Sequence, residues 1–145
     1  MAQMAWTFPA GQIHQEVTSL TLVNDTAKTI DITVPAGKAW ILRRIRIVNP
    51  DNVDRNVTVT LYKEAAKTNI IKMIHSLTAL TTTVERIYNN GIIRTTANDD
   101  GYIEKDDVLA AGNTISVVWA AGGASGGATD ADGLVICYEE VALSA

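Results

Sequence analysis

A serine or cysteine nucleophile needs a basic side chain within reach, and that base needs a third group to orient it. The chain has one cysteine, Cys137, and two histidines, His14 and His75. His75 precedes Ser76, but sequence neighbours on a strand point to opposite faces, so the two do not form a catalytic couple. Cys137 lies in the apolar run Leu134-Val135-Ile136-Cys137-Tyr138 and reads as an inert, buried thiol. A single cysteine excludes an internal disulfide, and together with two distant histidines it matches no usual zinc-ligand spacing.

Calcium chemistry would use oxygen ligands beside glycine, as in Asp130-Ala131-Asp132-Gly133 and Asn98-Asp99-Asp100-Gly101. Neither runs on into an EF-hand loop closed by Glu, and both read as Asp-rich turns. Gly122-Gly123 and Gly126-Gly127 lack the lysine and the following helix of a phosphate-binding loop. Asp106-Asp107 and Glu139-Glu140 are carboxylate pairs in sequence, whereas glycosidase chemistry needs two carboxylates facing each other across a cleft. The reading is therefore a non-enzymatic protein with no catalytic residue, no metal and no cofactor.

The chain that carries these residues has 145 of them, enough to bury a core in one domain. It is 47% hydrophobic and 19% charged, a globular composition, with a formal net charge of −4. That balance argues against nucleic acid as a partner, since phosphate binding rests on clustered Lys and Arg and only Arg43, Arg44 and Arg46 cluster. No apolar run approaches the roughly 20 residues that span a bilayer, and the start lacks a basic segment leading into an apolar one. The expectation is a protein that is cytoplasmic when made, with no membrane partner.

Apolar residues recur with period two, which predicts strands with Thr on the wet face: Leu20 and Leu22; Ile30, Ile32 and Val34; Val57, Val59 and Leu61. In Trp40-Ile41-Leu42-Arg43-Arg44-Ile45-Arg46-Ile47, Trp40 and Leu42 are in one phase and Ile45 and Ile47 in the other. One extra residue at Arg43-Arg44 repairs the phase, predicting a β-bulge that pushes an arginine sideways, unless neighbouring sheets bury both faces. Further strands are expected near Ile70 to Ile74, Val84 to Tyr88, Ile92 to Thr95, Ile115 to Trp119 and Leu134 to Tyr138. Asn90-Gly91 is the strongest hairpin signal, and Glu64 to Lys67 could form one helical turn.

Eight or nine short strands at this spacing predict an all-β fold, an antiparallel two-sheet β-sandwich or jelly roll. Residues 120–133 hold half of the chain's ten glycines and read as a Gly-rich loop before the last strand. Residues 1–13 read as a non-regular N-terminal arm ahead of a single sandwich domain at 14–145. The arm carries Trp6, Phe8 and Ile13, apolar residues that a neighbouring subunit would cover. Trp40 and Trp119 lie in strands and read as core, with a sugar-binding platform as the functional alternative.

The stretch from Ile32 to Asn49, with Pro35-Ala36-Gly37-Lys38 followed by Trp40, Leu42, Ile45 and Ile47, resembles a phrase recurrent in small β-sandwich structural proteins of tailed-bacteriophage virions. Leu109-Ala110-Ala111-Gly112-Asn113-Thr114-Ile115 resembles their second hallmark, a short turn before a penultimate strand. Pro35 fixes φ and Gly37 permits a tight reversal, so the first motif specifies a corner rather than a reaction. The resemblance implies a virion location, capsid surface or tail. It also implies a capsid decoration (cement) protein that bridges subunits of the major capsid protein or other virion proteins, commonly as a trimer. The expected contacts are Trp6, Phe8 and Ile13 from the arm, and Arg43, Arg44 and Arg46 for ion pairs with an acidic neighbour. The competing expectations are a tail- or fibre-associated protein and a carbohydrate-binding module with calcium at Asp130 and Asp132.

Overall fold

The computed structural model describes residues 12–23, 25–51, 53–80, 85–89, 107–122 and 128–143. Trp6 and Phe8, the Asn90-Gly91 hairpin, the strand at Ile92 to Thr95 and the Asn98 to Gly101 turn lie outside them. All regular elements described are strands: β1 (Gln12–Leu22), β2 (Lys28–Thr33), β3 (Lys38–Val48), β4 (Arg55–Tyr62), β5 (Ile70–Leu80), β6 (Glu85–Asn89), β7 (Val108–Leu109), β8 (Thr114–Trp119) and β9 (Ala128–Ala142). They form two sheets, one ordered β1-β9-β3-β6 with β7 also on β3, the other ordered β2-β8-β4-β5. Every pairing is antiparallel. The class is the all-β sandwich that the alternating sequence predicts.

The core lies between the sheets. One sheet supplies Leu20, Leu22, Trp40, Leu42, Ile45, Ile47, Leu134, Ile136 and Tyr138, and the other Val57, Val59, Leu61, Ile74, Ile115, Val117 and Trp119. Each such aliphatic side chain contributes about 1.5–3 kcal/mol when fully buried. Trp119 is wholly buried and donates its indole N–H to Val48 O at 2.9 Å, so its polar atom is satisfied.

The phase conflict in β3 is resolved as expected. Leu42 pairs with Tyr138 and Arg44 with Cys137, leaving Arg43 as the extra residue of a β-bulge, and Trp40, Leu42, Ile45 and Ile47 are all buried on one face.

Three details differ from the expectation. The last strand begins at Ala128, not near Leu134, because Ala128 to Asp130 pair with Leu20 to Leu22 of β1. Between these pairs Ser19 alone faces Ala131, Asp132 and Gly133. A Cβ on Gly133 would come 2.2 Å from Leu20 Cβ, so only glycine admits this close approach. Residues 64–67 form a tight turn, with Lys67 N on Glu64 O at 3.0 Å and Lys67 at φ 58°, a conformation that cannot propagate a helix. The Glu64 carboxylate fixes that turn by accepting from the amides of Thr68 and Asn69.

The hydroxyl face of the second sheet is also less wet than its pattern implies, since Thr60, Thr114 and Ser116 are buried. Lys67 reaches from the β4–β5 turn across β8 to Asp31 Oδ2 on β2 at 2.8 Å. Asp31 Oδ1 in turn accepts from Ser116 Oγ at 2.6 Å, and Thr33 and Thr114 join hydroxyls at 2.9 Å.

The two motif segments meet in space. Val34 donates to Asn113 O and accepts from Gly112 N, both at 2.9 Å, while Lys38 N closes the Pro35 corner at 3.2 Å. Gly37 and Gly112 adopt φ 73° and 86°, where a side chain would be strained. The corner and the turn therefore form one structural unit that fixes the start of β3 against the start of β8.

Candidate interaction surface

Alternation along β9 decides what the first sheet shows to the outside. Leu134, Ile136 and Tyr138 enter the core, so Val135, Cys137, Glu139 and Val141 face outward. Register adds Ile13, Gln15 and Val17 from β1 and Ile41, Arg44 and Arg46 from β3, which lie opposite those residues. Val108 of β7, paired with Ile41, extends the same face. Ile13 is 70% exposed, Val17 48% and Val108 55%, although all three are apolar residues on regular strands.

The sequence-derived contact residues that are described thus share one surface. Ile13 is the second residue of β1, a strand residue pairing with Glu139 rather than part of an irregular arm. Arg43, displaced by the bulge, makes an ion pair with Glu139 from the other side. Arg46 donates to Asp132 O at 2.7 Å. The Arg44 Nε is buried and has no hydrogen-bond partner among the described residues. A buried donor without an acceptor is unfavourable.

Glu139 and Glu140, adjacent in sequence, point to opposite faces and take different partners. Glu140 accepts from the Trp40 indole N–H at 2.9 Å and lies 3.4 Å from Lys38 Nζ. The Trp40 hydrogen bond, working against partial burial and aided by Lys38, holds the Glu140 carboxyl below its ordinary range. Beside it Tyr138 stacks on Trp40 at 3.8 Å and on His14 at 5.5 Å. Burial, with Glu16 and Glu140 nearby, pushes the Tyr138 hydroxyl up to about 12. These contacts commit the carboxylates and aromatics of this end to packing. They do not set two acids across a cleft.

The other sequence-derived chemistry is likewise absorbed into structure. Asp130 Oδ1 accepts from Asp132 N at 2.7 Å, capping the irregular pairing of β9. Asp107 binds Lys72 at 3.0 Å. Cys137 is half-buried on the outer face rather than inside the core. Trp40 and Trp119 are core residues, which removes them as a sugar platform. Among the described residues no group of three His, Cys, Asp or Glu side chains is placed to hold a metal ion.

Two parts of this surface escape the sequence reading. Val17 would have emerged had the period-two pattern been followed back through Ile13-Gln15-Val17. Glu139, the centre of the cluster, depends on strand register between residues about a hundred positions apart, for which the sequence holds no local signal.

No protein-family model matches the sequence, and no curated protein matches it. Among solved structures, the fold is similar to that of the infectious bursal disease virus Gx strain, with TM-score 0.43 and 7% identity over 92% of this chain and 38% of that one. It is also similar to the infectious bursal disease virus VP2 subviral particle, with TM-score 0.42 and 8% identity over 92% of this chain and 37% of that one. A crystal structure of the infectious bursal disease virus particle gives TM-score 0.41 and 10% identity over 93% and 36%. The chain thus spans well under half the length of these structures.

Proposed function

We propose that this chain is a non-enzymatic structural protein of a virion, and within that role a capsid decoration (cement) protein that bridges neighbouring shell subunits. The observation that carries the binding part of this reading is the outer face of β1-β9-β3. It combines exposed Ile13, Val17 and Val108 with the Arg43–Glu139 pair and an Arg44 whose buried Nε has no partner among the described residues. Exposed aliphatics around arginine are the composition of an interface core with a polar rim. The virion part rests on the resemblance carried by Pro35 to Lys38 and by Leu109 to Ile115, whose physical content is the joined corner and turn. The strand order also supports it, since a chain passing β1, β3, β6 and β9 through one sheet and β2, β4, β5 and β8 through the other has the winding of a jelly roll. Trp6 and Phe8, ahead of β1, would add arm contacts, and association into a trimer would place several such faces on one lattice.

A protein that binds only the assembled shell stabilises it by mass action. The test is to mix the purified chain with capsids assembled without it, then measure co-sedimentation and the temperature at which the shell opens. Saturable binding and a higher opening temperature, both weakened by Ile13→Asp, are expected. Absence of binding to capsids, with binding to tails or to a glycan array instead, would replace this reading by the tail-associated or carbohydrate-binding one.

A further inference from the structure

The two sheets expose four edges among the described residues, and three are protected. The β2 edge is six residues long and carries exposed Lys28 and Asp31. The β5 edge is interrupted by three register shifts against β4, each placing extra residues on β5. The edge beside β3 is divided between the five residues of β6 and the two of β7. Short length, charge and bulges are the devices by which edges avoid pairing with other chains. From Gln12 to Thr18 the β1 edge is neither short nor bulged, and Glu16 is its one formal charge. It pairs without interruption with Glu140 to Leu134, and β1 contains no Lys, Arg or Pro.

We propose that the β1 edge is a strand-addition site for β1 of a second copy, antiparallel, with the two-fold axis at Gln15. The sequence Gln12-Ile13-His14-Gln15-Glu16-Val17-Thr18 is self-complementary about that residue. On the outer face Ile13 of one copy meets Val17 of the other, which covers two of the most exposed aliphatic side chains on the first sheet. On the inner face His14 meets Glu16, a base opposite an acid, and the symmetry makes each pair twice. Gln15 meets Gln15, and Gln12 meets Thr18. Moving the axis by one residue to either side would set Ile13 opposite Gln15 or opposite Ser19, so the chemistry selects this register. The contact is two-fold and isologous. It joins copies in pairs, continuing the β3-β9-β1 sheet across the axis, and it does not depend on the virion reading.

Antiparallel partners lie about 4.5–5.5 Å apart at Cα, within disulfide range, so the axis can be read covalently. Gln15 also pairs with Cys137 within one chain, and the full-length Gln15→Cys variant is therefore made with Cys137→Ser. Oxidation is expected to give a covalent dimer from Gln15→Cys and none from Ser19→Cys, four positions off the axis. Sedimentation of the unmodified protein should show a concentration-dependent dimer. Val17→Lys should weaken it roughly tenfold, by disrupting two symmetric pairs, and Ile13→Asp added to Val17→Lys should restore part of the loss. A monomer at every concentration, equal cross-linking at both positions, or a trimer without the Gln15 cross-link would overturn the proposal. Each of those results would leave the capsid-binding test to stand or fall separately.

Discussion

Arg55 and the Arg43-Arg44-Arg46 cluster lie on consecutive strands of the chain but in different sheets, and their surroundings are opposite in kind. The Arg55 side chain is fully buried. Its Nε donates to Asp51 Oδ2 at 2.7 Å, Nη1 to Thr26 O and Ala120 O at 3.0 Å, and Nη2 to Val23 O at 2.9 Å. One guanidinium thus ties the β1–β2, β3–β4 and β8–β9 connections together at one end of the sandwich. Asn49 completes the corner by accepting from Asp51 N and donating to Val53 O. In the cluster, Arg43 is partly exposed with one carboxylate partner, and the Arg44 Nε has no partner among the described residues. The difference teaches that arginine in this chain has two uses. One is consumed by the fold, and the others line the outer face of the first sheet, where the Arg44 Nε has no hydrogen-bond partner among the described residues.

The largest effect that would test this comparison is at Arg55. Arg55→Met should destabilise the fold by about 3–5 kcal/mol, because it leaves the buried Asp51 carboxylate without the Arg55 cation and takes the Arg55 donors from three part-buried carbonyls. Urea unfolding measures it. Adding Asp51→Leu should recover part of the loss, since replacing both members of a buried pair removes the orphaned charge. If Arg55→Met proves no more harmful than a surface substitution, the contrast between the two regions fails.

In the cluster the expected order is reversed. Arg43→Ala should change stability by no more than about 1 kcal/mol, because the Arg43–Glu139 pair is partly solvated. The same substitution should weaken binding to capsids measurably, and the ratio of the two effects is the informative quantity. Loss of stability with intact binding would make the bulge arginine a fold element like Arg55.

How far the sequence anticipates these roles depends on whether the signal is local. The bulge at Arg43 is legible because Trp40 and Leu42 cannot share a face with Ile45 and Ile47 on a regular strand. The corner at Gly37 is legible because its conformation needs glycine. The burial of Arg55 is not legible, since Asn52-Val53-Asp54-Arg55 reads as a polar turn leading into a strand. Only the spacing of Asp51 and Arg55 hints at a pair. The early start of β9 is hidden because Ala, Thr, Asp and Gly have low or mixed strand preference, and pairing with Leu20 to Leu22 overrides it. Likewise the Thr pattern gives the face of the second sheet correctly but not its cover, which arrives with Lys67 from a distant turn.

That cover provides the smallest effect and the sharpest measure of how self-contained the second sheet is. Burial alone would raise the Asp31 carboxyl, but hydrogen bonds from Lys67 and Ser116 and the Lys67 charge outweigh it and hold Asp31 below its ordinary 3.8. A carboxyl lowered on folding contributes stability above its unfolded value and loses that contribution as pH falls through the folded one. Lys67→Met removes a hydrogen bond and a charge that both lower the carboxyl and leaves burial opposed only by Ser116, so the folded-state value should move upward. The stability difference between the two proteins should therefore be constant near neutral pH, shrink below about pH 4 and vanish once Asp31 is protonated in both. It should stay within about 1 kcal/mol, the usual ceiling for a partly exposed pair. Urea midpoints across that range, with the Asp31 carboxyl followed by NMR, measure both quantities. A difference independent of pH would assign Lys67 to packing over Thr114 and Ser116 and leave its charge without a role.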